Sequence, residues 1–168
     1  MKHISLMLIA IVCAGFGLKT ASNYSGRVRM LRSACLFLSG IRTEIEFSLE
    51  SAAGIFEHLA PHYSDSLPFC AECLENIKAG KSFYESWHIS LMNKENTKSL
   101  KSDDIALLDS FGRNFGTSDL DGQMANCDMH IQLIKSNLQK AENEMKLYSK
   151  PAAAVGFLCG AAVYILFM

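Results

Sequence analysis

Hydrophobic and polar positions along this chain follow the rhythm of α-helices. Leu120, Met124, Cys127, Ile131, Ile134, Leu138, Ala141, Met145 and Tyr148 step by four and three throughout, which lays one apolar stripe along a helix of about 30 residues. Val28, Leu31, Cys35, Leu38, Ile45 and Leu49 keep the same spacing, with Ile41 filling the interval. Both segments adjoin stretches in which charge disappears, residues 4–18 and 151–168. Eighteen helical residues rise about 27 Å, close to the roughly 30 Å hydrocarbon thickness of a bilayer. Pro151 stands at the entry of the second run, where a missing amide donor costs least, and Lys150 has the reach to snorkel to headgroups. The first run is shorter. A retained membrane helix is expected there; a cleaved signal peptide, with Lys2 and the small residues Ala14, Gly15 and Gly17, is the alternative. A lipoprotein at Cys13 is a third reading, set back by Val12 where a small residue is normally required.

Between the long stripes lie shorter helical signals. Pro61 is expected to close a helix that starts near Ser51. Ser66 is expected to open the next, with Pro68 in its first turn and Gly80 at its end. Ser82-Phe83-Tyr84-Glu85 reads as a capping box before Phe83, Trp87 and Leu91. Ser102 is expected to cap Ile105–Asn114, and Gly116 to stop it before Ser118-Asp119 begins the last helix. No alternating strand pattern or hairpin dipeptide appears. The expectation is an all-α fold, an antiparallel bundle of about six helices. Its two long helices would continue into N- and C-terminal transmembrane helices, dividing the chain into residues 1–21, a bundle domain 22–150, and residues 151–168.

Charge adds orientation. Net charge is −1, which argues against nucleic acid as a partner. Lys19, Arg27, Arg29 and Arg32 follow the first apolar run, and Lys135, Lys140, Lys146 and Lys150 precede the second. The cationic bias places the middle domain in the cytoplasm with both termini outside. Residues 1–43 contain no acid at all. Arg27, Arg29 and Arg32 therefore suggest a basic face for lipid headgroups or an acidic partner, each cation worth about 1 kcal/mol near an anionic leaflet. The six cysteines suit a reducing compartment better than a disulfide framework.

Candidate chemistry is sparse. Ala79-Gly80-Lys81-Ser82 resembles the end of a phosphate-binding loop, but Glu75 stands where that loop needs a glycine. His58, His62, Cys70 and Cys73 supply four zinc-competent side chains. They carry the alternative reading, a membrane-anchored metal or redox sensor; plain packing of Cys70 and Cys73, one helical step apart, is the simpler account. No serine, histidine and acid stand in a recognisable nucleophile arrangement. The expectation is a protein with no catalytic residues, no cofactor and no small-molecule substrate.

Arg27-Val28-Arg29-Met30-Leu31-Arg32 followed by Glu44-Ile45-Glu46-Phe47 resembles the opening of the stage III sporulation protein AB family. The resemblance resumes at Phe111-Gly112-Arg113-Asn114-Phe115-Gly116-Thr117-Ser118-Asp119 with Gln123, and ends in Gly156-Phe157-Leu158 with Gly160. One departure is Glu50-Ser51-Ala52, where the family often has Thr-Pro-Leu. The resemblance implies a role in endospore formation, in the mother-cell membrane, within a secretion-like channel to the forespore. It also implies a cytoplasmic helical domain similar to the inner-membrane platform (F) protein of type II secretion. Its partners would be an ATPase like sporulation protein AA, other channel proteins and membrane lipids.

Overall fold

A computed structural model describes the backbone of residues 2–48 and 50–167, and the side chains of residues 22–48 and 50–148. Among the described residues there are seven helices and no strand: α1 (Lys2–Phe47), α2 (Ala52–Tyr63), α3 (Pro68–Lys78), α4 (Phe83–Met92), α5 (Lys94–Thr97), α6 (Ser102–Asn114) and α7 (Leu120–Phe167). They form two compact units, one of residues up to Val28 with those from Gln139 onward, the other Arg29–Leu138. The apolar runs 4–18 and 151–168, Leu49 of the α1 stripe, and the expected boundaries at 21/22 and 150/151 lie outside the described side chains. Among the described residues no helix is long and apolar enough to cross a membrane.

In the first unit, the rings of Tyr24 and Tyr148 stack with centroids 5.9 Å apart, and Arg27 donates to the Glu144 carboxylate at 2.8 Å. The partner's number falls as the residue number rises, so α1 and α7 run antiparallel there. The same holds within the second unit, where Cys35 lies near Lys135 and Arg42 donates to Asp128 at 2.7 Å.

The stripes read from the sequence are the buried faces. Val28, Leu31, Cys35, Leu38, Ile41 and Ile45 on α1 are buried, as are Cys127, Ile131, Ile134 and Ala141 on α7. Leu120 and Tyr148, at the ends of the α7 stripe, are exposed. On α1 the buried face is wider than the stripe, because Met30, Ala34 and Phe37 are buried too. Phe37 meets Phe56 of α2 and Tyr63 edge-on and stacks on Trp87 of α4, so the short helices cover a second side of α1. Trp87 has no exposed surface and is ringed by Phe37, Phe56, Phe69, Phe83 and Phe111. Its indole N–H donates to the Leu108 carbonyl at 2.9 Å, so no polar atom of the ring is stranded. Each aromatic buried there contributes about 1.5–3 kcal/mol of transfer free energy.

Several helix boundaries differ from those expected. Pro61 lies inside α2, which runs on to Tyr63; the proline lacks the amide that would donate to the Glu57 carbonyl, and both residues are exposed. Ser66 closes α2 rather than opening α3, its hydroxyl donating to the Tyr63 carbonyl at 3.2 Å, and Pro68 is the first residue of α3. Helix α6 starts at Ser102 with Lys101 at the capping position; the Lys101 amide donates to Asp104 at 3.1 Å. Ser82 does cap α4, accepting from the Glu85 amide at 3.3 Å. Gly80, with φ +92°, ends α3 as expected, with the Lys81 amide reaching back to the Asn76 carbonyl at 3.2 Å.

Candidate functional site

The segment Phe111–Gln123 joins α6 to α7, and most of its residues build that join. Phe111 and Phe115 enter the core, their rings stacked 5.3 Å apart. Gly112 is a point of close approach: a Cβ there would lie 2.2 Å from Cδ1 of Trp87. Gly116 takes φ +78°, a conformation that favours glycine. Gln123 then locks the turn. Its side-chain carbonyl accepts from the Gly116 amide at 2.9 Å, and its amide group donates to the Ser118 hydroxyl at 2.9 Å. Asp119 caps α7 by accepting from the Gly122 amide at 3.0 Å. Asn126 and His130 continue the buried polar row that Gln123 starts on α7. The His130 ring pairs through Nδ1 with the Asn126 carbonyl at 2.8 Å, and its buried Nε2 has no hydrogen-bond partner among the described residues.

Arg113 departs from that pattern. It is two-thirds exposed, and its guanidinium donates to the Tyr84 hydroxyl at 3.1 Å and to Asp109 at 3.5 Å. The other oxygen of Asp109 accepts from Nδ1 of His88 at 2.7 Å. Tyr84 and His88 sit four residues apart on α4, as do Asp109 and Arg113 on α6. Each pair is visible as an i,i+4 spacing, but their meeting across two helices is not. The arrangement orients an imidazole against a carboxylate, but no serine, threonine or cysteine is bonded to the His88 ring among the described residues. Its evident effect is to fasten α4 to α6 at the surface.

The structure does not gather the four zinc-competent residues into one site. His58 and His62 are exposed on α2, their rings 6.3 Å apart. Cys70 and Cys73 are fully buried on α3. Burial pushes the Cys70 thiol well up, and pushes that of Cys73 up to about 12, opposite to the depression that a reactive or metal-binding thiol needs. Among the described residues no group of three or more such side chains is placed to hold a metal. Lys81, which the phosphate-loop reading would aim at an anion, instead donates to the Asn76 side chain at 2.8 Å.

The three basic residues beside the first apolar run separate. Arg27 is 6% exposed and pairs with Glu144. Arg29 and Arg32, one helical step apart, are exposed.

The sequence profile of the stage III sporulation protein AB family matches residues 2–168. Stage III sporulation protein AB of Bacillus subtilis (strain 168) is 24% identical over 170 residues, covering 100% of this chain and 99% of that protein. No solved structure matches the chain.

Proposed function

The chain belongs to the stage III sporulation protein AB family, and from that premise we propose that it is a membrane-anchored, non-catalytic scaffold of the sporulation channel between mother cell and forespore. The supporting observation is that the match runs the length of the chain, apolar ends included, while the signature segment Phe111–Gln123 is spent on folding rather than on chemistry. In this reading residues 4–18 and 151–168 span the mother-cell membrane, and the flanking cations hold the helical part in the cytoplasm. There it docks the channel's AA-like ATPase and couples it to the membrane components. Of the basic residues, Arg29 and Arg32 are the exposed pair, suited to anionic headgroups, whereas Arg27 serves the α1–α7 contact.

The test is recovery of the tagged chain from sporulating cells in gentle detergent. Co-recovery of the ATPase with several small membrane proteins is expected. Recovery of the chain alone, with a control complex intact, overturns the scaffold reading.

A further inference from the structure

An open cleft of about 480 Å³ lies within the Arg29–Leu138 unit, where the α1–α2 connection meets the α6–α7 turn. Ile45, Ile55, Phe115 and Leu120 give it an apolar floor, with Glu50 and Gln123 on the wall. Its volume falls in the range of about 300–1,000 Å³ that clefts use to seat ligands. Leu120, which lines it, is 55% exposed, and Phe47, not a lining residue itself but next in sequence to the lining Ser48, is 79% exposed. Among the described residues no other ring packs on that of Phe47.

Glu50 is the charged residue among those that line the cleft. Residues 43–77 and 114–134, which supply every lining residue, contain no lysine or arginine. Glu44, Glu50, Asp119 and Asp121 fall in the same stretches. Arg42 and Arg113, the cations that flank these stretches, are both occupied, Arg42 by Glu46 at 2.8 Å and Asp128 at 2.7 Å, and Arg113 by the Tyr84 hydroxyl at 3.1 Å and Asp109 at 3.5 Å. Glu50 and Asp121 are exposed and make no ion pair among the described residues. An apolar floor with Glu50 on its wall and further acids in the stretches that line it is complementary to a segment with lysine or arginine beside large apolar side chains, the apolar anchors supplying affinity and the charges selecting the partner.

We infer that this cleft is a docking site for a basic amphipathic segment of a partner protein, with Phe47 and Leu120 gripping its apolar side. The inference deepens the scaffold reading, and rests on it for the biological partner, by placing the protein contact at the acidic cleft rather than at the basic residues of α1.

The test uses the purified full chain and two labelled helical peptides, one of leucine and lysine, the other of leucine and glutamate. The lysine peptide is expected to bind. Its affinity should fall as salt rises from about 0.1 M to about 1 M, where the Debye length shrinks from about 10 Å to about 3 Å. Phe47→Asp, and separately the pair Glu50→Lys with Asp121→Lys, should weaken binding about tenfold or more; Glu75→Lys, which does not line the cleft, should not. Equal binding of both peptides, or equal loss with Glu75→Lys, overturns the inference. So does self-association of the chain that Phe47→Asp abolishes, which would make a second copy the occupant. In sporulating cells, a complex that survives Phe47→Asp sinks the cleft assignment and leaves the scaffold reading standing. A complex absent from the wild type sinks the scaffold reading itself.

Discussion

Gly112 has no room for a side chain, whereas its neighbour Arg113 is two-thirds exposed. Gly112→Ala would drive a methyl group into the indole of Trp87. Trp87 is held on its other sides by five phenylalanines, so it has nowhere to retreat. Overpacking of that kind should cost about 2–3 kcal/mol, measured as a lower urea midpoint. Gly80→Ala meets no neighbouring atom but keeps φ +92°, and should cost only about 1 kcal/mol. Arg27 and Arg29 make a second contrast. Arg27→Glu sets two buried or half-buried carboxylates against each other at Glu144 and should cost about 2–4 kcal/mol. Arg29→Glu should leave the midpoint unchanged while reducing flotation of the full chain with anionic vesicles.

At the scale of the element, the thiols of α3 and α7 give a pH signature. Cys73 and Cys127 ordinarily ionise near 9.0, and burial raises each to about 12 in the folded chain. The unfolded chain therefore loses these protons first, so stability falls as pH rises from about 9 towards about 12. Each group contributes at most about 1.4 kcal/mol per pH unit. Cys73→Ala should flatten that alkaline slope, and alkylation followed by mass spectrometry should find Cys70, Cys73 and Cys127 unmodified until urea unfolds the chain. Periodicity alone gave away the faces of α1 and α7, because a residue that repeats every three or four positions has one place to go. It did not reveal Phe37, which packs off the stripe on α2–α4, since a second buried face breaks no spacing rule. Nor did it reveal the row Gln123, Asn126 and His130, because patterning assigns polar residues outward, while here Gln123 bonds the α6–α7 turn, Asn126 the Phe111 carbonyl of α6 and His130 the Asn126 carbonyl one turn back on α7. Capping was legible by residue type only. Ser82 caps as its type suggests, but Ser66 finds a closer carbonyl behind it, and at α6 the side-chain bond is Asp104 accepting from the Lys101 amide, with Ser102 already inside the helix. The short helix α5 rests on Asn93 accepting from the Glu95 amide at 3.1 Å, a signal too brief for any window.

For the whole molecule, the family motif proves a better guide to identity than to chemistry. Phe111–Gln123 announces the family, yet its buried residues and its two glycines encode the turn beneath the cleft, so a variant at one of those should fail by misfolding. Gln123→Ala removes the acceptor of the Gly116 amide and the donor to Ser118. It should cost about 2 kcal/mol, and any loss of partner recovery should track that loss of stability. Phe47→Asp should behave oppositely, keeping full stability while losing its partner, and a denaturation curve beside a co-purification separates the two. The tryptophan at the centre supplies the means to do so. It is the one indole in 168 residues, it is fully enclosed, and rings from five helices converge on it. Its ultraviolet emission should be blue-shifted in the native chain and move to the red when that assembly opens. The protein thus carries its own optical gauge of core integrity, readable without a label and blind to whatever settles in the cleft outside.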